Sequence, residues 1–274
     1  MFRTKLTDYG CRFAVALLVA WTVPAHAQSD FPARTITVVV PYPPGGVLDP
    51  VARILGPSLA KEFGQPVVIE TRAGAAGAIG ANYVVRAKPD GYTILFHTGV
   101  VTVHPTTMKN AGYDVRTDLV PVSLAVAGPY VISVNNDFPA RSIPELIAYA
   151  KANPGKVFYG SAGIGSSNHL TGEQLNTAAG IAMVHVPYKG NGPMVTGLLS
   201  GEIQVGMDTI PGSKALAAGG KLRMLAVTSL RRNPALPDLP SATEFGLSDS
   251  ESVLWEAFFL PKSPPEPIVA KWIA

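Results

Sequence analysis

A chain of 274 residues has room for one large domain or two smaller ones, and 47% hydrophobic against 15% charged residues excludes a disordered polypeptide. The net charge of +3 comes from scattered basic residues, which excludes a basic nucleic-acid-binding stripe. The single cysteine, Cys11, excludes a disulfide-stapled fold.

Residues 1–27 read as an export signal. Arg3, Lys5 and Arg12 precede the apolar stretch Phe13–Val23, and Ala25-His26-Ala27 offers the small residues of a cleavage site. An uncleaved anchor is the alternative, but the stretch falls short of the about 20 residues that span a bilayer. Cleavage after Ala27 removes three basic residues and one acid, Asp8, which lowers the charge from +3 to +1. It removes Cys11 as well, so the mature chain relies on packing for stability.

From Thr35 onward, apolar runs alternate with amphipathic segments. The pattern predicts strand Thr35–Val40, helix Val51–Phe63, strand Val67–Glu70, helix Ala78–Ala87 and strand Tyr92–His97. A weak region, Pro121–Pro129, follows. Then come strand Tyr130–Asn135, helix Ile143–Ala152, strand Val157–Gly160, helix Asn168–Ala179, strand Val184–Val186, helix Gly192–Ser200, strand Ile203–Met207, helix Lys214–Ala218 and strand Arg223–Thr228. Such alternation means largely parallel sheet with helices on both faces, an α/β fold. Pro121–Pro129 and the proline-rich Arg231–Pro240 read as crossovers between two domains. The expected division is residues 28–128, residues 129–230, and a return to the first domain over residues 231–274 that begins near Val253–Leu260. Pro264–Ala274 reads as the start of a helix without a C-terminal cap, so the first domain is expected to lack its last elements.

Ligands of open parallel sheets bind beyond the carboxyl ends of the strands, and four loops stand there. In the first, three prolines and two glycines fall within Pro41–Gly46, before Asp49-Pro50. Gly45 and Gly46 allow backbone amides to approach an anion at a helix N-terminus. Asp49 suits the N-cap and Pro50 the first helical position. An ordinary strand–helix turn is the alternative. The second loop, within Phe158–Leu175, repeats the device with glycines, Ser166 and Ser167 before a helix. Either serine suits the cap. Ser161 is not in a nucleophile elbow, because Tyr159 takes the place of its first glycine. The third loop offers Tyr188 and Lys189, facing either a cleft or the surface. The fourth offers Asp208, either a hydrogen-bond hub or a ligand contact. Gly74–Gly80 is only loosely like a dinucleotide loop. His97, His104, His169 and His185 lack metal-ligand spacing and read as structural, as do Trp255 and Trp272. No cofactor and no metal are expected.

The segments PYPPGGVLDPVARIL, KPDGYTILF, GKVFYGSAGIGSSNHLTGE, HVPYKGNGP and AVTSLRRNPALPDLPSATEFG, in this order, resemble the Bug family of tripartite tricarboxylate transporter receptors. The resemblance runs from about Phe31 to the last residue. It implies a type II periplasmic-binding-protein fold in which two α/β domains close on a small carboxylate. It also implies a periplasmic, non-enzymatic, monomeric receptor that delivers the ligand to membrane permease subunits. A ligand-sensing co-receptor and a truncated, non-functional copy are the alternatives. Carried over by residue, the ligand-binding candidates are Tyr42, Gly45, Gly46, Val47 and Asp49 in the first loop, and Gly163, Ser166, Ser167 and His169 in the second. Asp208, and Thr98 with Gly99 after the third strand, complete them. Leu48, Thr71, Ala73, Ala76, Ile164 and Asn168 depart from the family pattern and leave the identity of the acid open.

Overall fold

The computed structural model describes residues 31–274. The reading of residues 1–27 as a signal peptide lies outside the described residues.

Strand β1 (Ile36–Val40) is the centre of the first sheet. It pairs in parallel with β2 (Val67–Thr71) on one side and β3 (Thr93–Thr98) on the other. Helices α1 (Leu48–Phe63) and α2 (Ala78–Val85) make the two crossovers. Side chains of β1 alternate between faces, as a strand requires. Ile36, Val38 and Val40 pack with Leu48, Phe96 and Phe258 in one core, while Val39 joins Ala81, Val84 and Leu95 in another.

The second sheet repeats the plan. Strand β5 (Phe158–Ser161) pairs in parallel with β6 (Val184–Pro187) and β7 (Val205–Thr209). Around it run α3 (Ile143–Ala152), α4 (Ser167–Ala179), α5 (Asn191–Ser200), α6 (Ile210–Ala218) and strand β8 (Leu222–Val227). Its main core holds Ile132, Leu146, Tyr159, Leu175 and Met207.

Strand β4 (Leu119–Asn135), 17 residues long, joins the sheets. Over Leu119–Pro129 it lies antiparallel to β9 (Val253–Pro261), which also pairs antiparallel with β3. From Tyr130 to Asn135 it lies antiparallel between β7 and β8. The architecture is thus the expected two-domain α/β fold, with antiparallel strands added where the sheets meet.

The weak crossover expected at Pro121–Pro129 is strand instead. Proline lacks an N–H and fits a sheet only at edges and bulges. This half of β4 has β9 as its sole ladder partner, and its register shifts between Pro121 and Ser123 and again between Leu124 and Val126. The prolines therefore break no ladder. Arg231–Pro240 does lie between strands, ahead of a short turn capped by Ser241 and Glu244.

Two helices begin a full turn or so earlier than expected. Helix α6 starts at Ile210 rather than Lys214, because Thr209 caps it and a proline occupies its first turn. Helix α1 starts at Leu48 with Val47 in the cap position and no side-chain cap bond. Asp49 is therefore not the N-cap and Pro50 is not the first helical residue. Helix α7 (Glu266–Ile273) docks Trp272 beside Phe63, with ring centroids 4.6 Å apart, and the indole N–H donates to Gly91 O at 3.2 Å. Trp272 is thus a packing residue, as expected. Among the described residues no helix is long and apolar enough to cross a membrane.

Candidate functional site

The first loop carries the chain from β1 to α1. Gly45 has φ +77°, a left-handed conformation that side-chain-bearing residues avoid, and this lets the loop turn over the start of α1. Two of its amides are used inside the loop. Gly45 N–H donates to Asp49 Oδ2 at 3.1 Å, and Gly46 N–H donates to Pro43 O at 3.2 Å. Asp49 is buried and also accepts from Arg53 Nε at 3.0 Å, which holds its carboxyl below the usual range. The aspartate therefore clamps the loop from beneath. Tyr42 is half-buried and donates to Ala76 O at 2.7 Å; burial of its hydroxyl pushes its pKa up to about 12, so it stays a neutral donor.

The second loop carries the chain from β5 to α4. Ser166 occupies the cap position of α4, yet its hydroxyl makes no capping bond. It donates instead to Asn168 Oδ1 at 2.8 Å and lies 2.6 Å from Gly163 O. Asn168 Oδ1 also accepts from Ala162 N–H at 3.1 Å. His169 Nδ1 accepts from Gly165 N–H at 3.1 Å, and its ring stacks on His185 at 4.0 Å. Ser161 Oγ is 2.6 Å from His185 Nε2. That pairing looks like a nucleophile and its base. Ser161 is fully buried, however, and does not line the cleft, so the pair braces the loop from behind. Burial and the neighbouring His169 push the His185 pKa down to about 4 and keep the ring neutral.

The third wall is a run of polar side chains. Asn191 Nδ2 donates to Asp208 Oδ1 at 2.9 Å, and Thr209 N–H donates to the same oxygen at 2.7 Å. Asn168 Nδ2 reaches Asn191 Oδ1 at 3.5 Å, which connects Ser166, Asn168, Asn191 and Asp208 in one chain. Burial outweighs these hydrogen bonds and raises the Asp208 pKa. The walls are close: a Cβ at Gly190 would lie 3.9 Å from Pro43 Cγ.

Between the loops lies a cavity of about 80 Å³. One water needs roughly 10–15 Å³ of such space, so the cavity holds a few waters or one small anionic group. Of the residues expected from the sequence, Tyr42, Gly45, Gly46, Val47, Thr98, Ser166, Ser167 and Asp208 line it. Lys189 is the one cation in the lining and Asp208 the one acid. Four expected residues stand outside the lining. Asp49 lies beneath the first loop. Gly99 packs on the Trp255 ring, where a Cβ would come within 2.6 Å. Gly163 turns the second loop at φ +135°, and His169 supports that loop from below. The sequence reading missed Tyr130, Ala162, Asn191 and Pro193, and it treated Asn168 only as a departure from the family pattern. Asn168 and Asn191 open α4 and α5 just after β5 and β6, so the strand-end rule would have found both. Tyr130 begins the antiparallel half of β4, which that rule does not cover.

Among the described residues no group of histidines, cysteines and acids is placed to hold a metal. His97 and His104 serve structure. His97 Nδ1 lies 2.9 Å from Thr98 O, and burial pushes its pKa down to about 3. His104 bridges the Tyr113 hydroxyl at 2.7 Å and Ala76 O at 3.1 Å.

A family model described as the tripartite tricarboxylate transporter family receptor matches residues 51–273. The chain belongs to this receptor family. The Bug resemblance holds too: the receptor is 36% identical to protein BugT of Bordetella pertussis over 250 residues, which is 90% of this chain and 77% of BugT. Among solved structures, Rpa4515 of R. palustris with adipate superposes at TM-score 0.84 with 37% identity, covering 89% of this chain and 82% of that one. MatC of Rhodopseudomonas palustris with bound malate gives TM-score 0.82 and 32% identity, over 88% and 83%. Members of the family are solute-binding proteins rather than enzymes, and the receptor shares that solute-binding role.

Proposed function

We propose that this receptor captures a small organic carboxylate between its two loops and delivers it to the membrane subunits of a tripartite transporter. One observation carries the reading: two glycine-rich strand–helix loops, from β1–α1 and β5–α4, meet across a cavity sized for one anionic group. The anchor is a polar cage with a single cation, Lys189, at its exposed edge. Tyr42, Val47, Thr98, Ser166, Ser167 and Asp208 are assigned ligand contact. Asp49, Gly99, Gly163 and His169 are assigned support of the loops. The adipate and malate of the two solved relatives favour a carboxylate ligand.

In this reading the domains comprise residues 28–128 with 231–274, and residues 129–230. The hinge lies where β4 leaves β9 after Pro129. The chain works as a periplasmic monomer after cleavage of residues 1–27, without cofactor or turnover of the ligand. Family receptors are periplasmic, which favours this location.

The test is a melting curve of the purified receptor against mono-, di- and tricarboxylates, acidic amino acids and aromatic acids. A ligand at 100 times its Kd stabilises by about 2.7 kcal/mol, a rise of roughly 5–10 °C for a protein of this size. A rise with at least one acid is expected. A sharp melt that no acid shifts would overturn the proposal.

A further inference from the structure

The cavity between the loops holds an anchoring group and little more, so the rest of a ligand must lie elsewhere. A second chamber of about 620 Å³ adjoins it. The two share Gly45, Gly46, Val47, Asn191 and Asp208. The chamber runs along the junction of the sheets, and its wall is mainly apolar, with Val51, Ile54, Val126, Ile210 and Leu254.

Two polar atoms on the cleft floor lack partners. Thr98 Oγ1 in the first cavity and Glu256 Oε2 in the chamber are buried and unbonded. They belong to residues directly paired across β3 and β9, so both side chains point to the same face. Glu256 is 1% exposed. A buried, unpaired carboxylate is strongly disfavoured, and burial alone pushes this carboxyl up to about 8. The other titratable side chain of the chamber is Asp208, and Tyr130 lies close by. No lysine, arginine or histidine lines the chamber. Arg53, on the neighbouring helix, is engaged by Asp49.

We propose that the bound acid runs from the loops past Thr98 into this chamber, and that Glu256 there receives a hydrogen-bond donor at the ligand's far end. The receptor then selects a monocarboxylate with an apolar body and a terminal hydroxyl or amine, and it rejects a second carboxylate. A distal carboxylate would bring a charge into an apolar chamber with no cation to offset it. A methyl end would leave Glu256 Oε2 unpaired. This inference rests on the carboxylate-receptor reading and narrows its ligand class, away from the dicarboxylates held by the two solved relatives.

The experiment is calorimetric titration at neutral pH with hexanoate, its ω-hydroxy and ω-amino derivatives, and adipate, together with shorter and longer homologues of each. The hydroxy or amino acid is expected to bind on the order of tenfold more tightly than the methyl-ended and dicarboxylic acids of equal length. Which of the two is tighter separates a hydroxyl from an ammonium. Glu256→Leu should abolish that preference and favour the methyl-ended acid. Glu256→Gln keeps the size and hydrogen bonding of the side chain but cannot ionise, so it should keep the hydroxyl preference and lose any ammonium preference. Equal affinity for all four ends, or a preference for adipate in the wild type, overturns this inference alone. So does a Leu variant that keeps the wild-type order. Binding of no acid in this series, while another acid of the wider panel shifts the melt, overturns this inference alone; if no acid of that panel shifts it either, the receptor reading falls with it.

Discussion

The β1–α1 and β5–α4 loops do the same geometric task with different materials. The first is held by a charge: Asp49 takes the Gly45 amide and pairs with Arg53. The second is held by neutral groups: Asn168, Ser161, Ser166, His169 and His185 bond its backbone and one another. A salt bridge on an exposed arginine is easily replaced by water, whereas each buried neutral partner leaves an orphan when removed. The second loop should therefore be the more brittle wall of the cleft.

The largest test of that contrast is Asn168→Ala. It strips the partner from Ala162 N–H and cuts the polar chain to Asn191, leaving Ser166 Oγ only Gly163 O. The expected cost is about 2–3 kcal/mol, a fall of roughly 5–10 °C in Tm, with weaker ligand binding. Asp49→Ala removes one buried acceptor from the first loop and should cost only about 1–2 kcal/mol. Denaturant midpoints for the two variants decide the order, and equal losses would break the comparison.

Alanine in place of the turning glycines comes next. Gly45 and Gly163 both have positive φ, and such a backbone costs a side-chain-bearing residue about 1–2 kcal/mol. Gly45 faces open space, while a Cβ at Gly163 would lie 3.4 Å from Tyr188 O. Gly163→Ala is therefore expected at the upper end of that range and Gly45→Ala at the lower, read from thermal unfolding.

Acid should separate the loops without mutation. The folded-state pKa of His185 is depressed from 6.5 to about 4. Between those values the unfolded chain binds a proton that the native chain does not, so stability falls as pH drops through that window. Asp49 is also depressed, from an ordinary 3.8. Its contribution is present above that value and is lost only at lower pH. Amide exchange at about pH 5 should thus show the second loop opening before the first. His185→Gln should remove the early opening. Simultaneous opening would count against the assignment.

The smallest effect belongs to Arg53→Ala. The arginine is exposed, so its loss should barely move the melt, and any difference should vanish in high salt. A large change would mean that the first loop depends on the charge more than its exposure allows.

Much of this site was legible before any tertiary contact was known. A run such as Pro41–Gly46 between a strand and a helix states its own conformation, because proline and glycine restrict or free the backbone locally. The same holds for Gly163 and Ser166 before α4. The reading erred where the local rule had competitors. Ser166 takes the cap position but spends its hydroxyl on Asn168. Asp49 lies inside the first turn and reaches back to Gly45.

By itself, the amino-acid order determined the α/β alternation and the two glycine-rich loops, since each depends on hydrophobic period and turn chemistry within a short stretch, and its long motifs carried the family resemblance. Tertiary structure alone decided that Pro121–Pro129 is edge strand, that Tyr130 completes the cleft, and that Glu256 floors an apolar chamber beside Thr98. Those facts depend on pairing between residues far apart in the chain, such as Thr98 with Glu256. Only the register of β3, β9 and β4 brings them to one face.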